Sequence, residues 1–280
     1  MTTLERRATD AGPRWLLDGQ RLPASFTLAD LLQRQAEEIP AWMAGYAREP
    51  APSNADWPVL PPIEPMHEVW ACGVTYLRSR DARKAESSAA DVYERVYEAE
   101  RPELFLKAIG WRVVTSGQTV RIRADSTWNV PEPELTLVIN AHGEIVGYTA
   151  GDDLSSRDIE GENPLYLPQA KIYTGACALG PQLVLASANV MRHLPIALTI
   201  ERQGEVIFTG TTSVDRMKRR LEELVSYLFR ELDFPSGVFL MTGTGIVPPE
   251  HFSLRSGDRI VISVGQVTLE NTVAKPLTRR

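Results

Sequence analysis

The chain has 280 residues, enough for one large domain with an appendage or two of ordinary size. Its 30 basic residues stand against 36 acidic ones, a net charge of -6, which argues against a general nucleic-acid binder. Hydrophobic content of 43% excludes a disordered chain, and no apolar run reaches the ~20 residues that a membrane helix needs.

Residues 1–10 are charged and lack the apolar core of a signal peptide. Cys72 and Cys177 are too few for a disulfide framework and lack metal-finger spacing. A cytoplasmic protein with neither nucleic-acid nor membrane partners is therefore expected. In chain order, residues 14–22 read as a hairpin turning at Asp18–Gly19. Thr27, with Asp30 three residues on, caps a helix expected to run to about Ile39. Pro50, Pro52, Pro58, Pro61, Pro62 and Pro65 then disfavour regular structure and mark a connection. We place a boundary there: residues 1–65 as a small α/β N-terminal domain with its linker, and 66–280 as the main domain.

Beyond the boundary, residues 88–100 have helical character, with Val92 and Val96 on one side. Short strands with Gly-containing turns follow, at 141–143, 203–204 and Gly265. Among them, Leu135, Leu137 and Ile139 alternate with Thr136, Val138 and Asn140. Ser213 is expected to cap a long helix to about Leu232, with Met217, Leu221, Leu224, Val225 and Leu228 on one face and Lys218–Arg219–Arg220 solvated. No regular strand–helix alternation is visible, so the fold class is α+β, mainly β.

Chemistry concentrates around one strand. Pro131-Glu132-Pro133-Glu134 runs directly into it, and Glu132 precedes a proline, which favours extended backbone. Side chains two apart then share a face, so Glu132 and Glu134 project together while Leu135, Leu137 and Ile139 go to the core. Adjacent like charges need a cation, a basic partner or a shared proton. Hard oxygen donors suit Mg²⁺, Mn²⁺ or Ca²⁺ rather than zinc. A solvated strand edge also carries alternating acids. The hairpin through Gly143 returns Asp152 and Asp153 to the neighbourhood, where one of them closes the site or merely caps a turn. Lys171 follows a proline-flanked apolar stretch; beside a metal and apolar walls it acts as a base, and otherwise it is a surface lysine. Gly243-Thr244-Gly245 offers closely spaced amides able to hold a carboxylate, or is a plain strand-end turn. The four histidines, His67, His142, His193 and His251, are scattered and read as structural.

These segments resemble the fumarylacetoacetate hydrolase family. The likeness rests on Gly73-Val74-Thr75-Tyr76, residues 102–107, the Glu132/Glu134 pair, Gly147-Tyr148-Thr149, residues 152–158, Lys171, Gly180-Pro181 and residues 242–245, in that order. It implies a mixed-sheet catalytic domain, a single divalent cation held by Glu132, Glu134 and Asp153, and a homodimer or homotetramer. Where the family's hydrolases and decarboxylases carry a histidine, this chain has Ser79. The stretch from Ser155 to Lys171 is instead most similar to the branch that dehydrates 2-keto-3-deoxy-pentonates derived from arabinonate or xylonate. That likeness implies a Mg²⁺-dependent conversion of a small 2-keto acid to 2,5-dioxopentanoate. Lys171 would be the base and Glu103 the acid. Arg78, Ser79, Arg80 and Thr244 would bind substrate, with Tyr76 and Phe105 lining the pocket. The alternatives are a C–C hydrolase or decarboxylase on acylpyruvates or oxaloacetate, and a non-catalytic binding protein.

Overall fold

A computed structural model describes residues 1–51, 56–86 and 90–275. The largest sheet has twelve strands among them. Its path runs from Glu49–Pro50 through Gln20–Arg21, Gly12–Leu17, Thr3–Thr9, Gln182–Leu185, Ile145–Asp153, Pro133–Ile139, Val238–Met241 and Glu68–Gly73 to Glu103–Ile109. The pairings along this path are antiparallel except that of Val238–Met241 with Glu68–Gly73. A five-stranded sheet packs on one face, so that Leu135, Leu137 and Ile139 meet Ile196, Leu198, Ile260 and Ile262. The opposite face carries Val138, Phe239 and Met241 against the N-terminal Leu4, Leu17, Leu28 and Leu31. The Pro133–Ile139 strand is thus buried on both sides, which explains its near-continuous apolar run. Mainly β architecture with few helices is what the patterning led us to expect.

The sheet crosses residue 65. Thr3–Thr9 pairs with Gln182–Leu185, deep in the C-terminal part of the chain, and Leu4, Trp15, Phe26, Met43 and Ile63 share one apolar core with Val69, Leu183 and Phe239. The turn at Asp18–Gly19 has positive φ at both residues (49° and 77°), the geometry that a two-residue hairpin with right-handed strand twist demands. Thr27 caps the next helix, accepting from the Asp30 N–H at 3.0 Å.

Three expected helices differ. The one opened by Thr27 spans only Leu28–Leu32; a second begins at Ile39–Ala44, where Pro40 occupies a helix start that needs no N–H. The segment after residue 88 is helical over Ala90–Glu98, behind an unexpected helix at Leu77–Glu86; Ser88 itself lies outside the described residues. The long helix from Ser213 is instead the end of a strand (Glu205–Ser213), a 3₁₀ turn (Val214–Arg216) and a short helix at Leu221–Leu228. Met217 bridges to Tyr76, and the Lys218 N–H donates to the Thr75 carbonyl at 3.0 Å, so these residues are drawn out of any helix. Arg219 is not solvated. It is 8% exposed and donates to the carbonyls of Ala99 (2.6 Å) and Glu100 (2.8 Å), closing the end of Ala90–Glu98.

His67 makes one part of the core pH-sensitive. It is 3% exposed; its Nδ1 accepts from the Glu64 N–H and its Nε2 lies 2.8 Å from the Ser236 carbonyl. Both bonds suit the neutral ring, and burial holds the pKa below its usual 6.5. The unfolded chain therefore takes up this proton first, so stability is full above about pH 6.5 and declines as pH falls below it. Urea unfolding at pH 7.5 and 5.5 is expected to show a smaller loss for His67→Gln than for the wild type; equal losses would remove His67 as the cause.

Candidate metal centre and its lysines

Strand register assembles the site. Pro133 faces Asp152 and Glu134 faces Gly151 across the hairpin, which sets Glu132 beside Asp153. The Asp153 N–H donates to the Glu132 carbonyl, and the Glu132 N–H to Asp152 Oδ1, each at 3.0 Å. Glu132, Glu134 and Asp153 are 4%, 0% and 1% exposed, and one carboxylate oxygen from each lies within 4.8 Å of the others.

Buried like charges at this separation demand compensation. Glu134 Oε2 accepts the Gly243 N–H at 2.6 Å, while no hydrogen-bond donor reaches Oε1 among the described residues. Burial first, then the charges of Asp153 and Glu132, push the Glu134 carboxyl well above its ordinary pKa. Gly243 has φ +90°, and a Cβ there would collide with Thr75 Oγ1, so that turn accepts only glycine. The carboxylate that the Gly243–Gly245 turn holds is the protein's own. Burial also raises the neighbouring Asp152 to about 8.

Lys171 ends the short helix Leu167–Lys171, which carries Pro168 in its first turn, where no N–H is needed. The side chain is 2% exposed, and its Nζ donates to Glu132 Oε2 (2.8 Å) and Asp153 Oδ2 (3.0 Å) and lies 5.9 Å from the centre of the Phe105 ring. Arg157 reaches Glu132 Oε1 at 3.1 Å. Three converging oxygen ligands, one oxygen without a donor and a buried setting fit a hard divalent cation, with Glu132, Glu134 and Asp153 as its holders.

A cavity of about 20 Å³, room for a single water, opens onto this cluster. Glu103, Phe105, Lys171, Ser79, Thr244 and Glu160 all line it. Glu103 lies so close to Gly73 that a Cβ there would collide with its carboxylate. Ser79 is buried, and its Oγ donates to the Tyr76 carbonyl at 2.8 Å. Arg78 and Arg80 stand elsewhere. Arg78 is exposed and lines a separate cavity of about 690 Å³ with Tyr76 and Arg216. Arg80 pairs with Asp81 and covers the Tyr97 ring. The sequence reading passed over Arg157, Glu160 and Lys107. Glu160 accepts from Ser155 Oγ at 2.7 Å. Its spacing of three from Arg157 within 155–162 was the available clue.

A family model described as the C-terminal part of fumarylacetoacetate hydrolase matches residues 68–274. A Haloferax volcanii protein named "Probable 2-keto-3-deoxyxylonate dehydratase" is 50% identical over 208 residues, 74% of this chain and 72% of its own. The Saccharolobus solfataricus 2-dehydro-3-deoxy-D-arabinonate dehydratase is 41% identical over 227 residues, 79% of this chain and 75% of its own. A solved structure described as 2-keto-3-deoxy-D-arabinonate dehydratase complexed with magnesium and 2,5-dioxopentanoate shares the fold with TM-score 0.84 and 35% identity, over 99% of both chains.

Proposed function

The chain belongs to the fumarylacetoacetate hydrolase family, and we propose that it is a Mg²⁺-dependent hydro-lyase that converts a 2-keto-3-deoxy-pentonate to 2,5-dioxopentanoate. The observation that carries this reading is a buried lysine, Lys171, hydrogen-bonded to two of three converging carboxylates and facing the same cavity as Glu103.

Lys171 takes the proton from C3 of the substrate, and Glu103 gives a proton to the hydroxyl that departs from C4. Loss of that water leaves a C3–C4 double bond beside the C5 alcohol, and tautomerisation turns the alcohol into the aldehyde. Glu132, Glu134 and Asp153 would hold a hard divalent ion, which would supply positive charge to the oxygens of the 2-keto acid. The Phe105 ring, whose centre lies 5.9 Å from Lys171 Nζ, forms a wall of the site beside this side chain. Ser79 and Thr244, which line the cavity, bind substrate oxygens. Ser79 in place of a histidine favours dehydration over the water attack of a C–C hydrolase.

D-Arabinonate and D-xylonate differ only at C2 and C3, the carbons that become ketone and methylene. Both therefore yield the same 2-keto-3-deoxy acid, and the stereochemical choice left to the enzyme is at C4. Incubation of the two C4 enantiomers separately with Mg²⁺ is expected to give 2,5-dioxopentanoate from at least one, seen by mass spectrometry as loss of one water. Turnover of an acylpyruvate with neither enantiomer consumed would reject the reading.

Residues 1–65 are proposed as a small N-terminal domain that completes the sheet around this site, and the protein as a cytoplasmic homodimer or homotetramer. Among the described residues, no helix is long and apolar enough to cross a membrane.

A further inference from the structure

Lys107 is 1% exposed, although Leu106 beside it is 40% exposed. Strand alternation sets the two on opposite faces, and the pairing is irregular at this point. Val69 faces Ala108 and Trp70 faces Leu106, so Lys107 is the extra residue of a β-bulge. Bulges bend a strand and re-aim its side chains. Glu103, Phe105 and Lys107 alternate onto one side of this strand; the first two line the small cavity and the third lies behind it.

Three acceptors surround the Lys107 ammonium. It donates to the carbonyls of Leu154 (2.9 Å) and Lys171 (2.6 Å), and it stands 2.6 Å from Asp153 Oδ1, an ion pair without aligned hydrogen-bond geometry. One buried charge thus grips the backbone that carries Lys171, the backbone next to Asp153 and the oxygen of Asp153 that Lys171 does not use.

We propose that Lys107 is a positioning residue: it orients the Asp153 carboxylate toward the ion and fixes the backbone from which Lys171 reaches its substrate. This rests on the reading of the site given above. Without the ammonium, Asp153 Oδ1 loses its partner in a dry interior. Asp153 then turns and offers both oxygens to Lys171, which already bridges Asp153 and Glu132 and competes with the ion for them. Removing a positive charge also lessens repulsion of the ion. Orientation prevails, because outer partners of metal ligands are typically worth about 10–100-fold in affinity or activity.

The test is Mn²⁺ titration of the full chain, wild type against Lys107→Met, whose side chain matches in length and lacks the charge. The expected result is a cooperatively melting variant whose Mn²⁺ Kd rises about 10–100-fold. At saturating Mn²⁺ its kcat stays reduced more than its KM changes, because the anchor of Lys171 is gone. A purely structural lysine would lower Tm and leave the Mn²⁺ Kd of the folded protein unchanged, and that result overturns the proposal. If Lys107→Met does not fold, Lys107→Gln is measured in the same way. Failure of both to melt cooperatively in saturating Mn²⁺ makes Lys107 a folding residue, and the proposal falls. A wild type that binds no Mn²⁺ takes down the metal reading itself, a different and recognisable failure.

Discussion

Glu134→Gln is expected to abolish tight binding of a divalent ion while raising the stability of the ion-free protein. The two effects share one cause. Glu134 is fully buried, and its Oε1 has no donor among the described residues. The carboxylate is tolerated only as an ion ligand or by holding a proton, which is why its pKa stands so high. Glutamine keeps the volume and an oxygen that accepts the Gly243 N–H, so the Gly243–Gly245 turn has no reason to move. What disappears is one of the three negative charges that make the cluster attractive to a hard cation. The loss in Mn²⁺ affinity should exceed the roughly 10–100-fold typical of an outer partner, since a ligand itself is altered. Thermal melting reads both effects. Wild type should gain Tm with added Mn²⁺, by the equivalent of about 2.7 kcal/mol at a hundred times Kd, and the variant should gain none. Without metal the variant should melt higher, because a buried repulsion has been removed. A Mn²⁺-dependent rise in the variant equal to that of the wild type would exclude Glu134 from the ligand set.

The acidic cluster was legible for a local reason. A strand of period two and a hairpin of short turn leave little freedom, so Glu132, Glu134 and Asp153 are near one another in any register that buries Leu135, Leu137 and Ile139. Asp18–Gly19 was legible in the same way, because few residues tolerate positive φ. Less regular places were hidden. The Leu77–Glu86 helix has a polar sequence with no apolar stripe to recognise. The apparent helix after Ser213 has the right periodicity, yet Met217 and Lys218 are captured by Tyr76 and Thr75, partners distant in sequence. Lys107 and Arg219 look like surface residues by type, and only tertiary acceptors reveal why they are buried. Buried cations, unlike strand acids, leave no spacing to read.

Lys171→Met is expected to cost turnover about 10²–10⁴-fold, the usual contribution of a positioned acid or base, without loss of ion affinity. Its ammonium lies between Glu132 and Asp153, two of the oxygen sets that a divalent ion would take. Removing it takes away a competitor for those oxygens, so the Mn²⁺ Kd should stay level or fall. Stability without metal should move the other way. Breaking a buried ion pair by deleting one partner costs about 3–5 kcal/mol, since the acids left behind lose their counter-charge. The variant is therefore to be assayed with Mn²⁺ saturating, where the ion replaces the missing charge. Under those conditions a collapsed site and a missing base give different results. Collapse raises KM and Kd together with the loss of rate, whereas loss of the base lowers kcat in a folded, ion-bound protein that still binds the keto acid. Retained turnover would move the C3 proton to another group. Glu103 would then be the first to test, because it borders the same cavity from the Glu103–Ile109 strand.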